Sequence, residues 1–175
     1  MTELKQVPHV MLSAEVIQKR VEEMGAQITQ DLKGKPLTVI GVLRGSFVFM
    51  ADLVRAIDLP MTCDFLGLSS YGSSTKSSGV VRITKDLGDP VEDRHVLVVE
   101  DIVDTGLTLA YLLESLETRK PASVQIASLL SKPARRQVEV DVDYLGFTIE
   151  DRFVVGYGLD YAGEYRNMPY IGTMD

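Results

Sequence analysis

Between Ser13 and Leu32 apolar residues recur at steps of three and four: Ile17, Val21, Met24, Ile28 and Leu32 share one face of a helix. Ser13 offers an N-cap hydroxyl, and Gly34 with Pro36 stops the run. The pattern then changes. Leu37 to Leu43 (LTVIGVL) is short, continuous and rich in β-branched residues, which predicts a strand buried on both faces. After Arg44, Gly45 and Ser46, the stretch from Phe47 to Ile57 is apolar on nearly every side. A helix of that kind is buried, against its own core or against another subunit. Further strands are predicted at 61–68, 80–84, 95–99, 123–130, 144–148 and 153–157. A helix after Thr108 places Leu109, Leu112, Leu113 and Leu116 on one face and ends at Arg119, Lys120 and Pro121. Strands alternating with helices give an α/β fold, a mainly parallel sheet flanked by helices. Ligands of such sheets bind beyond the carboxyl ends of the strands.

Composition narrows the class. A chain of 175 residues is long enough for a hydrophobic core and fits one domain. Its net charge of −7 lacks the basic footprint that nucleic-acid binding needs. It does not exclude a phosphorylated substrate, because backbone donors and Mg²⁺ can offset acidic side chains. Cys63 is the one cysteine, so no internal disulfide can form, and with only His9 and His95 beside it no Cys/His zinc site can be assembled. Residues 1–8 lack the basic start and apolar stretch of a signal peptide, and no apolar run approaches the roughly 18 residues of a membrane span. The expectation is a cytoplasmic protein with no membrane partner.

Two segments stand out as chemistry. The first runs from Ser69 to Gly79, rich in serine and glycine, between predicted strands. Long loops in that position often act as lids, and mobility without substrate is expected of this one. The second is Val98 to Thr108, VVEDIVDTGLT. A buried strand here delivers Glu100 and Asp101 to the carboxyl edge of the sheet, with Asp104 just beyond. Thr105, Gly106 and Thr108 then open a helix, whose free amides, hydroxyls and glycine form a phosphate cradle. Carboxylates beside a phosphate repel it unless they bind ribose hydroxyls or hold Mg²⁺ through water. A lone Asp-Thr-Gly would read as a helix cap; the full string points to a sugar phosphate with a metal beside it.

That string resembles the phosphoribosyl-pyrophosphate signature of the type I phosphoribosyltransferases, in particular the hypoxanthine-guanine members. The resemblance extends over nearly the whole chain. It includes Leu43-Arg44-Gly45-Ser46, Ser70-Tyr71-Gly72, Ser131-Lys132-Pro133, Phe153-Val154-Val155-Gly156-Tyr157, Asp160-Tyr161 and Arg166, in family order. It implies one phosphoribosyltransferase domain, with a core at about 37–131 and a smaller hood from about 1–12 and 132–175. The implied reaction is purine salvage: transfer of the 5-phosphoribosyl group from phosphoribosyl pyrophosphate to N9 of hypoxanthine or guanine. It further implies a Mg²⁺ cofactor and a homodimer or homotetramer.

By the same resemblance, Asp104 is the general acid/base near N7 of the purine. Glu100 and Asp101 face the ribose hydroxyls and Mg²⁺-bound water, and Asp160 a second Mg²⁺. Thr105, Gly106, Leu107 and Thr108 bind the 5′-phosphate. Arg44, Gly45 and Arg166 bind pyrophosphate, and the peptide bond at Arg44 is often cis in such members. Ser70 and Tyr71 belong to the closing loop, Lys132 contacts the 6-oxo group, Phe153 stacks on the base and Val154 offers backbone groups to its edge. Two positions depart from many relatives: Leu107 stands where a basic residue is common, and Arg44 where some carry lysine.

Other classes fit less well. An RNA-binding regulator on the same fold, similar to the pyrimidine-operon attenuator protein, needs a basic face and usually has an aromatic residue at the position of Asp104. A dinucleotide-binding oxidoreductase needs Gly-x-Gly-x-x-Gly after a strand, which this sequence lacks. A xanthine-preferring transferase stays open on sequence alone.

Overall fold

The computed structural model describes residues 6–70 and 81–174. The first helix is α1 (Ala14–Asp31), where Ser13 Oγ accepts from the Val16 amide at 3.2 Å as an N-cap should. A six-stranded sheet follows, built from β2 (Leu37–Leu43), β3 (Met61–Ser70), β4 (Val81–Lys85), β5 (His95–Val103), β6 (Ser123–Ser131) and β7 (Tyr144–Thr148). Its order is β4-β3-β2-β5-β6-β7, parallel except for the antiparallel edge strand β4.

Strand alternation divides the core between the two faces of this sheet. Leu37, Val39, Leu97 and Val99 pack under α1 and α2 (Phe47–Ala56). Ile40, Val42, Val96 and Val98 pack under α3 (Leu107–Glu117), against Leu109, Leu112 and Leu116. Both faces are thus covered, which is why the strands read as continuous apolar runs.

Topology opens the site. From β2 the chain steps to β3 on one side, and later elements fill the other side from β5 outward, so the strand order reverses between β2 and β5. The two strands pair only as far as Gly41 with Val99, while β2 follows β3 to Leu43 and β5 follows β6 to Val103. Their carboxyl ends diverge and leave a crevice at the switch point, where α/β sheets bind ligands.

A second, three-stranded antiparallel sheet combines both ends of the chain: β1 (His9–Leu12), β9 (Ile171–Thr173) and β8 (Val154–Val155), in the order β1-β9-β8. This corrects the strand expected at 153–157. It is only two residues long and lies in this small sheet, because Gly156 and Tyr157 take positive φ and end it. β7 follows residue 131 yet completes the large sheet. Ser70 pairs with Val81 across β3 and β4.

Candidate active site

The crevice holds a cavity of about 240 Å³ lined by Arg44 and Gly45 from the end of β2, and by Glu100, Asp101, Asp104, Gly106 and Thr108 from β5 and the turn after it. A larger cavity of about 680 Å³ lies between α1, α2 and residues 166–169. Size does not decide between them. The smaller one collects the acids and the helix start.

Alternation sends Asp101 to the side of Leu97 and Val99, where α2 begins. Its carboxylate packs directly on Gly45; a Cβ at that position would collide with Asp101 Oδ2. The Leu43–Arg44 peptide bond just before is cis. Glu100 is buried, and its side chain is hydrogen-bonded to that of Asp101. Burial pushes the Glu100 carboxyl well above the usual range, helped by the charge of Asp101, the bond to it and the charge of Asp104. Burial also raises Asp101, opposed by the Ile102 amide, which donates to Oδ1 at 2.7 Å, and by the nearby charge of Arg166. Two carboxylates this close favour one shared proton, or a positive or hydroxylic group that replaces it.

Asp104 is exposed at the mouth of the crevice. Its Oδ1 accepts from the Thr105 amide at 2.7 Å. It does not cap α3: the N-cap is Gly106, at φ +84°, which has no side chain to offer. A helix opening at Thr105 was expected; it opens at Leu107, because Gly106 holds the left-handed turn that glycine alone adopts without strain. The first i→i−4 bond is made by Ala110 to the Gly106 carbonyl, at 2.9 Å. The amides of Leu107, Thr108 and Leu109 precede it and face the open end of the helix, a cradle suited to an anion. Of these, the Leu107 amide donates to Thr105 Oγ1 at 3.3 Å. Behind this turn the Thr105 carbonyl accepts from the amides of Gln137 and Val138, at 2.9 and 3.1 Å.

Arg166 connects the crevice to the C-terminal loops. Its Nη1 donates to the Gly158 carbonyl at 2.6 Å and its Nη2 lies 3.3 Å from Asp160 Oδ1. The second oxygen of Asp160 accepts from the Gly163 amide at 2.8 Å. Gly158 itself packs on the Gly45 carbonyl so closely that a Cβ would collide with it. The loop carrying Arg166 is therefore seated on the loop carrying Arg44.

Lys132 is buried at the end of β6, its amide donating to the Val103 carbonyl at 2.9 Å beside the start of the Asp104 turn. Desolvation lowers its pKa, with Asp151 and Asp104 opposing and Arg135 adding to the shift. Phe153 is 54% exposed and meets the Tyr161 ring at near right angles, with centroids 5.7 Å apart. Val154 is buried in β8. Ser70 ends β3; Tyr71 and the rest of 71–80 lie outside the described residues.

The oxygen donors suit a hard cation. Among the described residues no three His, Cys, Asp or Glu side chains converge as a closed metal cage, and Asp160 stands apart from the Glu100–Asp101 pair. Mg²⁺ needs no such cage. It is held by one or two carboxylates, several waters and substrate phosphates, and the acid pair fits that role.

Two contributors escaped the sequence reading. Gly158 is marked only by the spacing Gly156-x-Gly158, and its partner Gly45 is remote in the chain. Arg136 sits in the run Arg135-Arg136, which looks like a solvated charge patch, yet its Nε donates to the Asp104 carbonyl at 3.0 Å and its Nη2 to Ser131 Oγ at 2.8 Å.

Comparison with known proteins agrees with this geometry. The phosphoribosyl transferase domain family matches residues 12–162. A hypoxanthine-guanine phosphoribosyltransferase of Staphylococcus epidermidis is 51% identical over 170 residues, covering 97% of this chain and 95% of the relative. That of Bacillus subtilis is 50% identical over 168 residues, covering 96% and 93%. The crystal structure of a hypoxanthine phosphoribosyltransferase from Staphylococcus aureus superposes with a TM-score of 0.93 at 49% identity, covering 95% of this chain and 91% of that one. Matched to these relatives across nearly its whole length, this chain belongs to the phosphoribosyltransferase family, in its hypoxanthine-guanine branch.

Proposed function

We propose that the chain transfers the 5-phosphoribosyl group from phosphoribosyl pyrophosphate to N9 of hypoxanthine or guanine, giving the nucleotide and pyrophosphate. The observation that carries this reading is the crevice itself: paired carboxylates, an exposed third carboxylate and a helix start within one cavity at the strand switch point. In this reading the amides and hydroxyls of Thr105–Thr108 take the 5′-phosphate, and Glu100 with Asp101 take the ribose hydroxyls. Arg44, Gly45 and Arg166 take the pyrophosphate, where positive charge stabilises the departing group as the bond to the ribose breaks. Asp104 removes the proton from the purine, or holds N7–H, as N9 attacks. Phe153 stacks on the base, Lys132 donates to its 6-oxo group, and Val154 meets its edge through the backbone. Mg²⁺, when bound, supplies charge neutralisation for the polyphosphate; Glu100 and Asp101 would hold one ion, and Asp160 a second through water.

The test is nucleotide formation from phosphoribosyl pyrophosphate and each of hypoxanthine, guanine, xanthine and adenine. IMP and GMP are the expected products, and absence of both would overturn the reading. In excess EDTA turnover should fall at least about tenfold and return on adding Mg²⁺; full turnover in EDTA would exclude the metal role.

A self-associated state is also proposed, a homodimer or homotetramer. Phe47 on α2 is 44% exposed, Val48 and Val54 beside it are half-buried, and Val16 on α1 is 47% exposed. Val48 and Ala56 also line the larger cavity. Exposed apolar surface of this kind commonly marks an interface. Sedimentation at micromolar concentration should show a dimer or tetramer, and a monomer would refute it.

A further inference from the structure

We propose that Arg136 is a positioning residue that orients Asp104 for proton transfer and ties it to the segment that recognises the base. This rests on the reading of Asp104 and Lys132 given above. In a trans peptide the C=O of one residue and the N–H of the next point in opposite directions. Arg136 Nε takes the Asp104 carbonyl at 3.0 Å, which turns the Thr105 N–H away from Arg136. That N–H is the donor that holds Asp104 Oδ1, at 2.7 Å. The direction of the Asp104 carboxylate is thus set by a peptide plane whose other side is gripped by Arg136.

The next plane is fixed in the same way. The amides of Gln137 and Val138 grip the Thr105 carbonyl, which turns the Gly106 N–H toward the phosphate cradle. A side chain at Gly106 would collide with the Val138 carbonyl, so the strap formed by residues 136–138 lies directly against the turn. Arg136 is the one side chain of this strap whose bond reaches the Asp104 backbone among the described residues. Its far end donates to the hydroxyl of buried Ser131, the residue before Lys132. One guanidinium therefore spans the end of β6, where Lys132 leaves the sheet, and the turn after β5, where Asp104 stands. Its planar fork fits two partners in fixed directions, which lysine cannot reproduce.

The experiment is a kinetic double-mutant cycle of R136A with D104A, with R136K and R136Q beside it. R136A should lower kcat by about 10- to 100-fold, as displacement of a catalytic group by a fraction of an ångström to an ångström does. KM for both substrates should change by less than about threefold, because Arg136 touches neither. R136K and R136Q each keep a donor for the Asp104 carbonyl and should fall between R136A and wild type. In the D104A background, R136A should cost less than about threefold more, since a group that acts through Asp104 has nothing left to position. Equal losses in both backgrounds would overturn the proposal, and so would R136A within about twofold of wild type. If R136A does not fold, the R136K and R136Q cycles decide by the same criteria. Failure of the underlying reading shows separately, as a wild-type enzyme that makes no nucleotide from hypoxanthine and phosphoribosyl pyrophosphate.

Discussion

Asp104→Ala is expected to lower kcat by about 10²–10⁴-fold, the usual worth of a general acid/base, while the melting temperature stays close to wild type. Position and partners separate the two effects. The side chain is exposed at the crevice mouth, and its bond is a local one to the next amide, that of Thr105. It caps no helix, because Gly106 is the N-cap and the Leu107 amide turns to Thr105 Oγ1 instead. Substitutions at such sites usually change stability by about 0.5 kcal/mol or less. The same carboxylate faces the cavity that Glu100 and Asp101 line, and the phosphate cradle begins one residue later. Asp104→Asn separates geometry from proton transfer. It keeps an oxygen for the Thr105 amide yet cannot accept a proton, so its kcat should fall nearly as far as that of the alanine variant. Steady-state rates within a few-fold of wild type in both variants would remove Asp104 from the chemistry. A large loss of melting temperature would instead assign it to the fold.

The parts of the molecule legible in the sequence are those whose information is local. β2 coincides with the expected 37–43, because LTVIGVL is buried on both faces and carries turn residues on either side. α1 begins after Ser13 as expected, since cap and apolar face lie in one continuous run. The acid pair and the cradle are adjacent in the chain, so one strand end and one helix start bring them together without further help. Features that depend on remote partners were not legible. β1 and β9 are four and three residues long and pair with each other from opposite ends of the chain, too short for a period to show. β8 was expected to continue to Tyr157, whose apolar character reflects burial and a hydroxyl bond to Asp52 on α2 rather than a strand. The seating of Gly158 on Gly45, and the grip of Arg136 on Asp104, each require knowing which loops meet above the sheet.

Adenine should be rejected by roughly 30-fold to 10⁴-fold in kcat/KM relative to hypoxanthine, and the choice should reside in Lys132 and the neighbouring backbone. Lys132 is 8% exposed, and its own amide is pinned to the Val103 carbonyl, so the side chain leaves from a fixed point beside Asp104. Desolvation works against its charge while Asp151 and Asp104 favour it, and as an ammonium it can only donate. A 6-oxo group accepts that bond, whereas the 6-amino group of adenine presents hydrogens to it. At N1 a 6-oxopurine carries a hydrogen for a backbone carbonyl near Val154, and adenine carries a bare lone pair. Two buried polar groups would then lack partners. Each costs about 1–3 kcal/mol, together roughly 2–6 kcal/mol, which gives the range above. Phe153 cannot supply this discrimination, because an exposed ring stacks on the face of any purine. The measurement is kcat/KM for hypoxanthine, guanine and adenine in wild type and in Lys132→Gln. Glutamine offers both a donor and an acceptor at the 6-position, so the adenine ratio should narrow in the variant. Adenine within about tenfold of hypoxanthine in wild type, below the lower estimate, would overturn this account of selectivity. An unchanged ratio in Lys132→Gln would place the choice in the backbone near Val154 alone.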